Sequence, residues 1–156
     1  MMGRNVWWVV STLTVIAQAY FLPGITAHVP ALMIICLLIS TQYLSRGFVF
    51  AQALWLGFIL DVVSLYDFGA YLVVGLVVTS LIYWLKRRGL GLEDGFSRTL
   101  LLAAAVLMQS LVLLMFQGPA IILELEVGSW LIGVGGQILT SAVFAWAVVG
   151  RVQLRA

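Results

Sequence analysis

Asp61 is the residue with the most chemistry to explain, because it is the one acidic side chain of six that lies inside an apolar run, in the stretch Leu56 to Tyr71 that reads LGFILDVVSLYDFGAY. A carboxylate at the bilayer centre costs about 2.5 to 3.5 kcal/mol on insertion scales, but Asp61 stands only about four residues, roughly 6 Å, from the end of its run, so its cost is smaller. Polar partners lower that cost further. Two roles suit such a group: a carboxylate that binds a partner or positions a helix, or a hydrogen-bonded cap that fixes the following turn through Asp67 and Gly69. A third role, an intramembrane aspartyl pair made by Asp61 and Asp67, fits poorly. The two are six residues apart across one tight turn, and no second motif is present to position a water. His28 is the only histidine and Cys36 the only cysteine, so a triad, a cysteine or histidine metal cluster and an intramolecular disulfide are all excluded. No enzyme activity, cofactor or metal is expected, and Cys36 reads as a small buried filler.

The spacing around Asp61 describes a helix face. Ala53, Gly57, Asp61 and Ser64 fall three or four residues apart, so they share one side of a helix and let another helix approach closely. Tyr71, Gly75 and Thr79 repeat at intervals of four on the next segment, a second small and polar stripe, and the two stripes together predict a tight hairpin. In the last apolar segment Ser129, Gly133, Gly136, Gln137 and Thr140 share one broad face suited to close packing and to a hydrogen bond from Gln137 across helices. These glycines do not form a nucleotide loop, which needs a preceding strand and a soluble setting. In the first segment Ser11, Thr14 and Gln18 follow helical spacing, again suiting interhelical hydrogen bonds. Leu123 to Val127 alternates apolar and acidic residues, a period of two that suits an interfacial segment or an exposed edge.

The elements that must position these residues are membrane helices. Of the 156 residues 63% are hydrophobic and 9% charged, too little polar surface to cover a water-soluble globule. Six apolar runs appear, at about Val6 to Leu22, Val29 to Tyr43, Phe48 to Leu65, Ala70 to Leu85, Leu100 to Phe116 and Val127 to Val149. The expected fold is an all-α integral membrane protein, a compact bundle of six short transmembrane helices in one polytopic domain over residues 1–156. The second and fourth runs are shorter than the ~20 residues a crossing needs, a mismatch that costs only fractions of a kcal/mol per Å. With six crossings all eight basic residues fall on one side: Arg4, Arg46, the group Lys86, Arg87, Arg88 and Arg98, and the pair Arg151 and Arg155. Basic loops stay cytoplasmic, which places both termini inside. Trp7, Trp8, Tyr43, Tyr83, Trp84 and Trp130 lie near the expected interfaces, whereas Trp55 falls mid-helix and needs packing. Arg4, an apolar stretch and Ala17-Gln18-Ala19 imitate a secretory signal, but Trp8, Thr12 and Thr14 make a poor signal core, so the first run reads as a retained helix. The inner segment Lys86 to Arg98, with Gly89, Gly91 and Gly95, is expected to be mobile and is charged enough to meet a cytoplasmic partner or anionic lipid.

The segment LGFILDVVSLYDFGAYLVVGLVVTSLIYWL resembles the central signature of the rod shape-determining protein MreD family: a glycine, apolar residues, an aspartate, and a serine-containing turn before another glycine. Gly57, Asp61, Ser64 and Gly69 match, while Leu65, Tyr66 and Asp67 stand where the family often has small residues or proline. The resemblance extends over the whole chain as a pattern of small size, five or six apolar helices and short loops. It implies a non-enzymatic scaffold of the bacterial elongation machinery in the cytoplasmic (inner) membrane. Such a scaffold binds the single-span protein MreC and, through it, the cell-wall synthase and the cytoplasmic filament that organise peptidoglycan synthesis and cell shape. Gly57, Asp61, Ser64 and Gly69 would then serve partner binding or helix packing, and self-association is compatible with the same faces.

A second reading, of another class, is the substrate-capture subunit of an energy-coupling-factor vitamin transporter, a family that also has six helices with cytoplasmic ends and whose fold the bundle is expected to resemble. Fold does not decide function. The outer loops supply few convergent polar groups for a vitamin, and the first helix lacks the alanine pair spaced by four that such subunits present to their coupling partner. The scaffold is the preferred reading.

Overall fold

The computed structural model describes residues 4–20, 31–63, 68–89, 95–116 and 127–153. Six helices cover them: α1 (Arg4–Tyr20), α2 (Leu32–Tyr43), α3 (Arg46–Val63), α4 (Ala70–Arg87), α5 (Gly95–Phe116) and α6 (Val127–Gln153), with no strand among the described residues. Each apolar run has become one helix. Four have the length and composition to cross a membrane, at Arg46–Val63, Ala70–Arg87, Gly95–Phe116 and Gly128–Ala147. This is an all-α membrane protein. Of the six short crossings expected from the sequence, α1, with 17 described residues, and α2, with only 12, are not among these four. At about 1.5 Å per residue α2 is roughly 18 Å long, well short of a ~30 Å hydrocarbon core.

Such a short helix is tolerated because protein, not lipid, surrounds it. Every residue from Ala31 to Leu38 is buried, and α2 touches each of the other five helices. Its sequence, LMIICLLISTQY, is apolar on every side through most of its length, the pattern of a helix buried all round. Leu32, Ile34, Ile35 and Leu38 pack with Val74, Val78 and Ile82 of α4 and with Leu101, Leu102, Ala105 and Val106 of α5. Met33, Cys36 and Leu37 pack with Val15 of α1 and with Val49, Ala53, Leu56 and Leu60 of α3. In lipid, helix association draws on close packing and on polar bonds rather than on removing apolar surface from water. The glycines and hydrogen bonds described below therefore weigh more than the area buried.

Several borders differ from the sequence reading, three of them in polar segments. α5 begins at Gly95, five residues before its apolar run, because the polar turn Ser97-Arg98-Thr99 is helical; the Thr99 hydroxyl donates back to the Gly95 carbonyl at 2.9 Å. Lys86 and Arg87 close α4, so the segment expected to be mobile from Lys86 to Arg98 is helical at both ends, while residues 90–94 lie outside the described part. α6 continues past Val149 to Gln153. Trp55, which needed packing, finds it on α1. Its indole N–H donates to Thr12 Oγ1 at 3.0 Å, and its ring meets Trp8 at 6.1 Å and Phe58 at 6.4 Å between centroids.

Candidate functional site

The first turn of any helix leaves backbone N–H groups without partners, and in hydrocarbon no water is present to satisfy them. α4 meets this demand with a side chain from another helix. Asp61, 4% exposed near the end of α3, accepts the Tyr71 N–H on Oδ1 at 2.7 Å and the Leu72 N–H on Oδ2 at 3.1 Å. Both carboxyl oxygens are thus engaged at the positive end of the α4 dipole, where an acidic group is favoured. Gly69, at the cap position itself, contributes no side-chain bond. It has φ of +103°, a conformation that favours glycine, and it turns the chain so that Tyr71 and Leu72 face Asp61. Gly69→Ala is expected to destabilise the protein by about 1 kcal/mol through this φ alone, since nothing crowds the site. Unfolding in mixed micelles followed by circular dichroism measures it.

The capping distance depends on how closely α3 and α4 approach. A Cβ on Gly57 would stand 2.6 Å from the Tyr71 carbonyl oxygen and 2.9 Å from the Leu72 Cα; one on Gly75 would stand 2.7 Å from the Ala53 carbonyl oxygen and 2.9 Å from the Met33 methyl. Backbone therefore lies on backbone at two points about one turn apart, and Asp61, one turn beyond Gly57, is carried to the first turn of α4. The face formed by Ala53, Gly57 and Asp61 packs on the face formed by Tyr71 and Gly75. Ser64 and Asp67 lie outside the described residues. The Thr79 hydroxyl, third in the α4 stripe, is buried with no hydrogen-bond partner among the described residues.

A second polar cluster joins α1, α2 and α3. The Gln52 amide donates to Ser11 Oγ at 2.9 Å, and its oxygen lies 2.6 Å from the Ser40 hydroxyl. Ser40 Oγ in turn accepts the Trp7 indole N–H at 2.7 Å and reaches the Cys36 carbonyl at 2.7 Å. Ser11 was legible from its spacing, but Gln52 and Ser40 were missed. The available signal was Gln52 itself, an amide inside an apolar run that requires partners from neighbouring helices. Gln52→Leu removes two buried hydrogen bonds, while Ser11 keeps the Trp8 carbonyl and Ser40 keeps Trp7 and the Cys36 carbonyl; at about 0.5 to 1.5 kcal/mol per bond it is expected to cost about 1 to 3 kcal/mol in the same unfolding measurement.

The short α2 is closed at both ends in the same manner as α4. Gln18 of α1 accepts the Met33 N–H at 3.3 Å and Ser141 of α6 accepts the Ala31 N–H at 2.8 Å. At the other end Lys86 of α4 donates to the Thr41 carbonyl at 2.9 Å, a cation at the negative end of a helix dipole. Thr14 has no such role and bonds back to the Val10 carbonyl at 2.7 Å. The chemistry of these groups is thus the joining of helix ends. Among the described residues no group of three or more His, Cys, Asp or Glu side chains comes together to hold a metal.

The last helix differs. Only 17% of the Gly128–Ala147 span is buried, against 33 to 39% in the other three spans, and Ile132, Leu139, Val143 and Trp146 are each more than two-thirds exposed. A Cβ on Gly128, Gly133 or Gly135 would meet nothing within 4 Å. The bundle is closed along α3 and α4 and open along α6. No family model, curated protein or solved structure matches the chain. Fold and site together define an all-helical membrane protein whose polar residues join its helices to one another.

Proposed function

We propose that the chain is a non-enzymatic scaffold of the bacterial cell-elongation machinery, similar to the MreD family, which sits in the cytoplasmic membrane with both termini inside and binds an MreC-like single-span protein. One observation carries this reading. Gly57, Asp61 and Gly69, the described residues of the resemblance, are engaged in closing the α3–α4 hairpin, while α6 keeps a broad apolar face with glycines open to close approach. A bundle fixed internally and open along one helix suits the docking of another membrane helix, where small residues admit close packing. The partner then engages α6, and the signature residues act by holding the bundle in shape. The cell-wall synthase and the cytoplasmic filament join through that partner.

Purification of the intact chain from its native membrane in mild detergent, with co-purifying proteins and small molecules both identified by mass spectrometry, tests this. Recovery of a single-span cell-wall partner is the expected result. A tightly held vitamin-like molecule together with a coupling subunit and ATPases would overturn it and make the chain a transporter component.

A further inference from the structure

Three basic side chains, Arg46 and the neighbours Lys86 and Arg87, meet from two distant parts of the sequence at the end of the bundle where α2 and α4 finish and α3 begins. Only Leu44 and Ser45 separate α2 from α3. A depression of about 440 Å³ lies between this turn and the last turn of α4, lined by Thr41, Ser45, Arg46, Tyr83, Lys86 and Arg87 among others, none of them acidic. Arg46 stands over the Tyr83 ring, 5.5 Å from its centroid, and Lys86 donates one of its three protons to the Thr41 carbonyl, leaving two. The Tyr83 hydroxyl is buried with no hydrogen-bond partner among the described residues. Basic residues that only set topology need to lie at the correct side of the membrane. They do not need to share a cavity, and like charges brought together there repel one another unless an anion joins them.

The exposed rings of Tyr43 and Trp84 mark this end as the level of the lipid headgroups, where amphipathic aromatics settle, and Arg88 stacks on Trp84 at 5.0 Å. We propose that the depression binds the phosphate of an anionic phospholipid headgroup. Arg46, Lys86 and Arg87 supply the charge, with the acyl chains remaining in the bilayer. Lipid bound here would tie the α2–α3 turn to α4 by a bridge independent of the Asp61 cap, and this holds whichever partner α6 receives.

The full chain, purified in neutral detergent, is offered phosphatidylglycerol, phosphatidylcholine or inorganic phosphate, and retained lipid is counted by native mass spectrometry. The expected result is preferential retention of phosphatidylglycerol, reduced about tenfold or more in the Arg46→Gln, Arg87→Gln double variant and unchanged by excess inorganic phosphate. Arg98→Gln, which removes a basic residue outside the lining, should leave retention intact. Arg87→Gln alone changes an exposed side chain and keeps the test valid if the double variant folds poorly; it should lower retention severalfold. Equal retention of the two lipids, equal loss in Arg98→Gln, or displacement of the lipid by inorganic phosphate would each overturn the assignment.

Discussion

Replacing Asp61 by alanine is expected to destabilise the protein by about 2 to 5 kcal/mol, because it strands two backbone N–H groups that are each worth about 1 to 3 kcal/mol when buried without a partner. The value falls below the simple sum because the carboxyl group's own desolvation is recovered. Against the total stability of about 5 to 15 kcal/mol usual for a folded domain, this is a large fraction. The loss should be local in origin. Amide hydrogen exchange should rise first at Tyr71 and Leu72, whose N–H groups meet Oδ1 and Oδ2 at 2.7 and 3.1 Å, before the rest of α4 loosens. Asp61→Asn keeps one acceptor but turns an NH2 toward the second N–H, so an intermediate loss is expected. Unfolding of the three proteins in mixed micelles, followed by circular dichroism, measures the series. Equal stability of Asp61→Ala and the parent protein would show that the carboxyl group is not needed as a cap.

Gly57→Ala is expected to cost about 2 to 4 kcal/mol, although it adds a single methyl group. The methyl carbon would stand 2.6 Å from the Tyr71 carbonyl oxygen and 2.9 Å from the Leu72 Cα. Neither atom can rotate away as a side chain would, so α3 and α4 must separate, and overpacking of this kind usually costs about 1 to 3 kcal/mol. Separation also lengthens both Asp61 bonds, which raises the cost above that range. The two substitutions are therefore coupled. Added to Asp61→Ala, Gly57→Ala should cost less than it does alone by about 1 kcal/mol or more, a coupling typical of residues that share a contact. Gly47→Ala at the start of α3, where a Cβ meets nothing within 4 Å, should be neutral or slightly stabilising. Additive losses, or equal losses at Gly47 and Gly57, would contradict close approach at Gly57.

Much of this arrangement can be read from the residues alone, and the reasons it can are physical. Helical spacing placed Ala53, Gly57 and Asp61 on one face and Tyr71 with Gly75 on another, since apolar membrane helices leave few other geometries for small residues. Spacing did not reveal that Asp61 meets backbone rather than a side chain, because backbone N–H groups are present at every residue and carry no sequence signature. The burial of α2 was hidden for a related reason. A run of apolar residues satisfies lipid and protein interior equally well, so nothing in the run Val29 to Tyr43 shows that its helix, Leu32–Tyr43, is the central one that touches all five others. The first turn of α5 was missed because Ser97, Arg98 and Thr99 interrupt the apolar count without interrupting the helix. The open side of α6 was not legible either. Spacing puts Gly133 on a packing face, and only the three-dimensional arrangement shows that, among the described residues, nothing lies within 4 Å of a Cβ built there.

The central claim is that the α3–α4 hairpin closes the bundle from within and that α6 receives the partner. Photo-crosslinking in the native membrane tests this most directly, with a photoreactive residue placed singly at Ile132 or Leu139 on α6, at Leu107 on the exposed side of α5, and at Phe68 beside the hairpin turn, all exposed positions. The account predicts capture of one single-span membrane protein from Ile132 and Leu139 and none from Leu107 or Phe68. Capture from Phe68 with none from α6 would contradict it, and would place partner recognition at the hairpin instead.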